Sequence, residues 1–170
     1  MAPETRPLNK GKTVSVKSMV DILRKLDGIE GITVSGGEPF LQKHSLYMFL
    51  KVIRETTKLG VIIYTGYTLE ELKKMNDSDV NEILDGLCDL IIDGKYVDEL
   101  NDGIALRGSS NQQLHFITER YKSYEFIYNE KRRNAEIYIS NSDLFFIGIP
   151  SKETLKTWQT TTSEFDKRKE

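Results

Sequence analysis

Four stretches of this sequence set glycine or hydroxyl groups beside polar side chains in patterns that could bind a small ligand. The densest is Ser35-Gly36-Gly37-Glu38-Pro39. Two consecutive glycines let the backbone approach a ligand closely and accept positive φ. Glu38 offers a carboxylate that can pair with an ammonium group. Pro39 stiffens the exit and removes a competing N–H. Together these residues suit the amino end of an amino-acid-like ligand. The alternative is a tight strand-to-helix turn with a solvated glutamate, because glycine-rich turns are common punctuation.

Tyr64-Thr65-Gly66-Tyr67 and Asp93-Gly94-Lys95-Tyr96 have the same make-up, and each follows a short apolar run. Residues 107–112 (RGSSNQ) hold a dense set of donors and acceptors: Arg107, Ser109, Ser110 and Asn111. They could take a carboxylate or hydroxyls, with Arg107 as the forked donor. They also fit a hydrophilic loop ahead of the strand-like 114–117 (LHFI).

Metal and nucleophile chemistry has thinner support. The chain contains one cysteine, Cys88. One cysteine can neither form an internal disulfide nor hold an iron–sulfur cluster, which needs several thiolates. Beside Leu87 and Leu90 it reads as a small buried hydrophobe. His44 and His115 have no Cys, Asp or Glu arranged around them at ligand spacing, so both read as structural or surface residues. Trp158 reads as packing, and the charged runs 130–133 and 166–170 as solvated surface.

The elements that carry these groups follow from periodicity. Residues 1–14 read as an irregular entry. Ser15 caps a helix marked by Val16, Met19, Val20 and Leu23. Residues 31–35 (GITVS) form a buried strand that stops at Gly36-Gly37. Leu46, Phe49, Leu50 and Ile53 mark a second helix, and 61–65 (VIIYT) a second strand. Thr68 and Glu71 make a capping box for a third helix. Val80, Ile83, Leu84 and Leu87 mark a fourth, and 89–93 (DLIID) a third strand. Strands alternating with helices imply an α/β fold with a parallel sheet, whose ligands bind beyond the C-terminal strand ends. Further on, 124–128 (YEFIY) is strand-like. Residues 135–139 and 144–149 read as a hairpin around Asn141-Ser142-Asp143. From Thr160 the chain is polar and reads as frayed.

The length of 170 residues suggests one domain. Lys and Arg total 24 against 26 Asp and Glu, so the near-neutral balance gives no reason to expect nucleic acid or a membrane surface as the main partner. With no apolar run long enough to span a bilayer and no leader pattern, a cytoplasmic protein is expected.

Four segments together match one family. GITVSGGEPFLQ (31–42) resembles the S-adenosylmethionine (SAM) segment of radical SAM enzymes. IYTGYTLEEL (63–72), DLIIDGKYVDEL (89–100) and RGSSNQ (107–112) resemble the activating proteins of anaerobic ribonucleotide reductase. The resemblance covers roughly residues 1–150, leaving 151–170 as a charged tail. It implies a partial radical-SAM-type (β/α) barrel or an open parallel sheet with a C-terminal β-hairpin. It implies that Gly36, Gly37 and Glu38 receive the methionyl amino group of SAM, with Pro39 shaping the turn and Ser35 among the SAM-binding residues. Tyr64, Thr65 and Gly66 would line the same pocket. Asp93, Arg107, Ser109, Ser110 and Asn111 would contact SAM or orient the partner's glycine loop. In the reaction so implied, a reduced 4Fe–4S cluster passes an electron to SAM. The resulting 5′-deoxyadenosyl radical takes a hydrogen atom from a glycine of the partner reductase. The implied partners are the glycyl-radical ribonucleotide reductase subunit and an electron donor such as flavodoxin or ferredoxin.

The sequence departs from the family pattern at one place. The CxxxCxxC loop that holds the cluster is absent, and residues 2–8 (APETRPL) match the position just after it. The expectation is a chain truncated past the first strand and the cluster loop, unable to hold the cluster as written. It would have an unpaired edge beside 31–35. A related radical SAM enzyme with another substrate and a non-catalytic partner-binding module are the alternatives.

Overall fold

A computed structural model describes residues 11–130, 135–139, 144–148 and 152–166. The chain forms two compact units. The first runs to Tyr96 and resumes over Asn111–Tyr124; the second holds Val97–Ser110 and the described residues from Glu125 on.

The first unit is a four-stranded open sheet with helices, of order β1-β2-β3-β4. β1 (Gly31–Val34), β2 (Gly60–Tyr64) and β3 (Leu90–Asp93) are parallel. β4 (Gln113–Phe116) returns antiparallel to β3. The sheet is therefore mixed, not the all-parallel sheet that the βα alternation suggests. A parallel return needs a crossover of a dozen or more residues that packs back on the sheet. Here the connection runs through the Val97–Ser110 loop of the other unit, with no crossover helix.

Each helix forms where its apolar spacing gives it a buried face. α1 (Val16–Leu23) starts at Ser15, whose hydroxyl accepts the Ser18 amide hydrogen. α2 (Lys43–Thr56) buries Leu46, Tyr47, Phe49, Leu50 and Ile53. α3 (Leu69–Lys74) carries the complete Thr68/Glu71 capping box. α4 (Ser78–Glu82) is shorter than its spacing implies. It opens into a wide turn at Ile83–Leu87, where Gly86 at φ 135 turns the chain down into β3. The core gathers Leu50, Ile53, Val61, Ile63, Leu72, Val80, Ile83, Cys88 and Ile91, all inaccessible to solvent. Each such aliphatic side chain contributes about 1.5–3 kcal/mol relative to exposure. β3, with neighbours on both edges, is buried along its whole length.

The N-terminal end of the sheet is closed by polar groups. Asp89 Oδ2 accepts from the Val61 amide (2.8 Å) and Oδ1 from the Thr118 hydroxyl (2.6 Å). Arg54 Nη2 lies 2.9 Å from Oδ2, out of line for a directed hydrogen bond, so charge is what holds that contact. Gly31 and Gly60 face each other here under Tyr121, and a Cβ on Gly60 would collide with the Tyr121 hydroxyl and Arg120 Nε. β1 is an edge strand, with β2 as its one neighbour among the described residues.

In the second unit the Val97–Ser110 loop contains a short 3-10 turn (Asp98–Leu100). α5 (Glu125–Glu130), the hairpin of β5 (Ala135–Ile139) with β6 (Leu144–Gly148), and α6 (Lys152–Asp166) follow. The hairpin is as expected; its turn residues, like 1–10, 131–134 and 167–170, lie outside the described residues. Two expectations are overturned. Residues 124–128 are not a strand: Tyr124 ends a 3-10 turn (Glu119–Tyr124), and 125–130 are helical. The alternation of Tyr124, Phe126 and Tyr128 does not mark a buried face, because Tyr124, Phe126 and Ile127 are all exposed. The stretch from Thr160 is not frayed but helical to Asp166. Its hydroxyls fold back onto the helix, Thr160 donating to Lys156 O and Thr162 to Trp158 O.

Candidate functional site

The C-terminal ends of β1, β2 and β3 converge in the first unit, and their loops are laced together by two carboxylates. After β1 the chain turns through Gly36 (φ 84) and Gly37 (φ 58), two left-handed positions that only glycine takes without strain. Ser35, Gly36 and Gly37 are exposed. Pro39 is buried and opens a 3-10 turn (Pro39–Gln42) that sinks Phe40 into the core.

Glu38 sits between the exposed turn and this buried plug. Its Oε1 accepts from the Phe40 amide (3.0 Å) and from the Thr65 hydroxyl (2.8 Å); its Oε2 accepts from the Gly66 amide (2.7 Å). A carboxylate has about four acceptor positions, so these three neutral donors leave room for about one more. No Lys, Arg or His among the described residues stands at ion-pair distance from Glu38. The site thus offers a half-buried carboxylate that no cation among the described residues pairs with, next to an open glycine turn.

Thr65 is 3% exposed and both roles of its hydroxyl are in use, donating to Glu38 and accepting from the Tyr67 amide (3.2 Å). Its own amide donates to Ile92 O, tying the end of β2 to β3. Tyr64 closes β2 opposite Ile92 and is half-buried.

Asp93 is the second lacing group. Its Oδ2 accepts from the Leu69 amide (2.7 Å), the first residue of α3, and its Oδ1 from the Gln113 amide (3.1 Å) in β4. Gly94, at φ 90, donates its amide hydrogen to Tyr67 O (2.9 Å). Gln112 Nε2 donates to Gly94 O, and the exposed Asn111 donates through Nδ2 to Lys95 O. The structure therefore brings residues 35–39, Tyr64, Thr65, Gly66, Asp93 and Asn111 into one unit.

Arg107, Ser109 and Ser110 belong to the other unit, where each braces its own loop. Arg107 donates through Nε and Nη2 to Asp102 Oδ2. Ser109 is fully buried and its hydroxyl accepts the Val97 amide hydrogen (3.1 Å); the Ser110 amide donates to Leu100 O (2.7 Å). One residue that spacing did not single out belongs to the strand-end cluster: His115 Nε2 lies 2.8 Å from Asp93 Oδ2. Only the β3–β4 pairing reveals it. His44 is the surface residue expected, joined to Asp79.

The chain belongs to the family of 4Fe-4S single cluster domains, whose model matches residues 1–115. Within that class it is similar to anaerobic ribonucleoside-triphosphate reductase-activating proteins. It is 37% identical to that of Haemophilus influenzae over 90 residues, 51% of this chain and 55% of the relative. It is 33% identical to that of Escherichia coli K12 over 93 residues, 52% and 56% of the two chains. It is 31% identical to that of Enterobacteria phage T4 over 105 residues, 59% and 61%. The chain thus spans little more than half the length of these relatives. No solved structure matches it.

The residues present do not fit a 4Fe–4S cluster. The single cysteine, Cys88, is fully buried, its thiol donates to Ile83 O (3.3 Å), and burial pushes its pKa up to about 12. A cluster ligand is a thiolate, and this thiol is held in its neutral form. Among the described residues no three His, Cys, Asp or Glu side chains gather as a metal site.

Proposed function

We propose that this chain carries the SAM-recognising part of an activating protein for anaerobic ribonucleotide reductase. Glu38 takes the methionyl ammonium, and Ser35, Gly36 and Gly37 let the ligand approach the backbone. Pro39, Tyr64, Thr65 and Gly66 shape the pocket, while Asp93, Arg107, Ser109, Ser110 and Asn111 contact SAM or orient the partner's glycine loop. The observation that carries this proposal is the Glu38 carboxylate, which neutral donors fix in place beside a glycine turn while no cation among the described residues pairs with it. An ammonium there gains a charge-assisted hydrogen bond.

In this reaction class SAM, reduced at a 4Fe–4S cluster, is the source of a 5′-deoxyadenosyl radical. The residues of this chain bind and orient; they do not hold the cluster, so no radical step is assigned to them. The partner is the glycyl-radical reductase subunit, with flavodoxin or ferredoxin as electron donor. A cytoplasmic home goes with these partners, and among the described residues no helix is long and apolar enough to cross a membrane.

Calorimetric titration of SAM tests the proposal. Saturable binding is expected, weakened about tenfold or more by Glu38→Gln, in line with about 1.5–3 kcal/mol for a hydrogen bond to a charged group. Methionine should compete, and 3-(methylthio)propionate, which lacks the amino group, should not. Equal SAM affinity in wild type and Glu38→Gln would overturn it.

A further inference from the structure

His115 takes no part in the ligand contacts proposed above, yet it lies inside the cluster of strand-end groups. It stands in β4 opposite Ile91, two residues from Gln113, which pairs with Asp93. Side chains two apart in a strand share a face, so His115 and Asp93 meet on one side of the sheet. The Asp93 side chain is 7% exposed and that of His115 22%. The Nε2–Oδ2 separation is 2.8 Å, but Nε2 is out of line for a directed hydrogen bond. The contact therefore depends on charge. The other partners of Asp93 are two backbone amides, both neutral. A buried carboxylate held only by neutral donors is costly, and a cation at contact distance offsets that cost.

Among the described residues, Asp93 of β3 is adjoined by two further charged groups on neighbouring segments, Glu71 of α3 and Lys95 after β3. Glu71 is taken by the Thr68 amide (2.8 Å) and lies in the field of Lys95. Asp93 is the carboxylate at ion-pair distance from His115.

We propose that His115, as the imidazolium, is a positioning residue for the ligand site, acting through Asp93 on the loop between β2 and α3. Asp93 Oδ2 holds the Leu69 amide at the start of α3, and the adjoining Gly94 amide holds Tyr67 O. These two fastenings fix the far end of the loop. Its near end is Thr65 and Gly66, the two residues that grip Glu38. Losing the His115 charge leaves Asp93 with neutral donors alone and loosens the frame that orients Glu38. The effect on a ligand rests on the ammonium-binding role proposed for Glu38; the coupling of His115 to Leu69 does not.

The two parts are tested separately. In ¹⁵N-labelled wild-type protein titrated from pH 5 to 9, the Leu69 amide is expected to shift with the same midpoint as the His115 ring protons. That step should vanish in His115→Gln. Different midpoints in the wild type, or an unchanged step in His115→Gln, overturn the proposal. The wild-type comparison decides even where the variant fails to fold. For the ligand, SAM affinity at pH 6 should fall about three- to tenfold in folded His115→Gln, and the gap to wild type should close as the ring loses its proton. Wild-type affinity in His115→Gln at pH 6, with binding lost in Glu38→Gln, overturns the positioning role. Equal binding in all three proteins removes the SAM proposal itself, and the amide titration still decides the coupling.

Discussion

Glu38 and Gly66 are 28 positions apart in sequence and joined by a 2.7 Å hydrogen bond, from the Gly66 amide to Glu38 Oε2. With the Thr65 hydroxyl on Oε1, this bond makes the loops after β1 and β2 a single device. Glu38 does not simply project from a turn; the end of the neighbouring strand aims it.

Thr65 gives the sharpest test of that aim. Thr65→Val keeps the shape and removes the hydrogen bond to the charged Glu38 acceptor, worth about 1.5–3 kcal/mol, together with the weaker one from the Tyr67 amide. SAM affinity is expected to fall about ten- to hundredfold on that basis. Thr65→Ser restores the hydroxyl and should bind within about threefold of wild type. If Thr65→Val binds SAM as the wild type does, Thr65 does not orient Glu38.

The elements of the first unit were legible where a local pattern had one physical outcome. Leu46, Phe49, Leu50 and Ile53 can share a face only in a helix. Thr68 and Glu71 can satisfy each other's amides only at a helix start. The glycine pair 36–37 marked the end of β1, and the positive φ of both residues is the reason. What stayed hidden depended on distant partners. Nothing near residues 114–117 says which way β4 runs, because its direction is set by the connection from Gly94 onward. The aromatic alternation at 124–128 suggested a strand, but alternation specifies one only when another strand is there to pair with it. His115 looked idle because its partner Asp93 lies across a strand pairing that local periodicity does not contain.

At the other end of the sheet, Asp89 and Arg54 should matter for stability and not for ligand recognition. The Asp89 side chain is 4% exposed and that of Arg54 24%. Removing one member of a buried pair costs about 3–5 kcal/mol, and the partial exposure of Arg54 puts this pair near the lower figure. Asp89→Ala also orphans the Val61 amide and the Thr118 hydroxyl. Urea denaturation is expected to show a loss of about 3 kcal/mol for Asp89→Ala. Arg54→Met with Asp89→Asn should lose less than the sum of the two single changes. Additive losses would mean that the pair is not coupled.

Acid should weaken the helix starts first. The Thr68 amide donating to Glu71 holds that carboxyl below its usual range, and Lys43 with the Val80 amide does the same for Asp77. A group whose folded-state pKa is lowered contributes stability above its unfolded value and loses it as pH falls through the folded one. The loss therefore begins near pH 4, the ordinary carboxylate range, and deepens below it. In melting curves from pH 6 down to pH 2.5, the double variant Glu71→Gln/Asp77→Asn should start lower and fall less steeply than wild type. Both groups are solvated, so added salt should shrink the Asp77 part. Parallel curves for the two proteins would show that neither carboxyl is linked to folding.

Cys88 decides whether this stretch of chain can itself bind iron. Burial raises its pKa to about 12, so at pH 8 about one thiol in ten thousand is ionised even before access is considered. Thiolate is the species that alkylates and that ligates iron, and Cys88 is also sealed from solvent in the core cluster that holds Ile83 and Ile91. Iodoacetamide should leave the folded protein unmodified over hours at pH 8 and label it within minutes in 6 M guanidinium. Anaerobic reconstitution with iron and sulfide should yield no 4Fe–4S absorption near 400 nm, with the same result for Cys88→Ala. Cysteine-dependent cluster absorption in the folded chain would require Cys88 to leave the core, and the assignment of the SAM-recognising role without the cluster would fall with it.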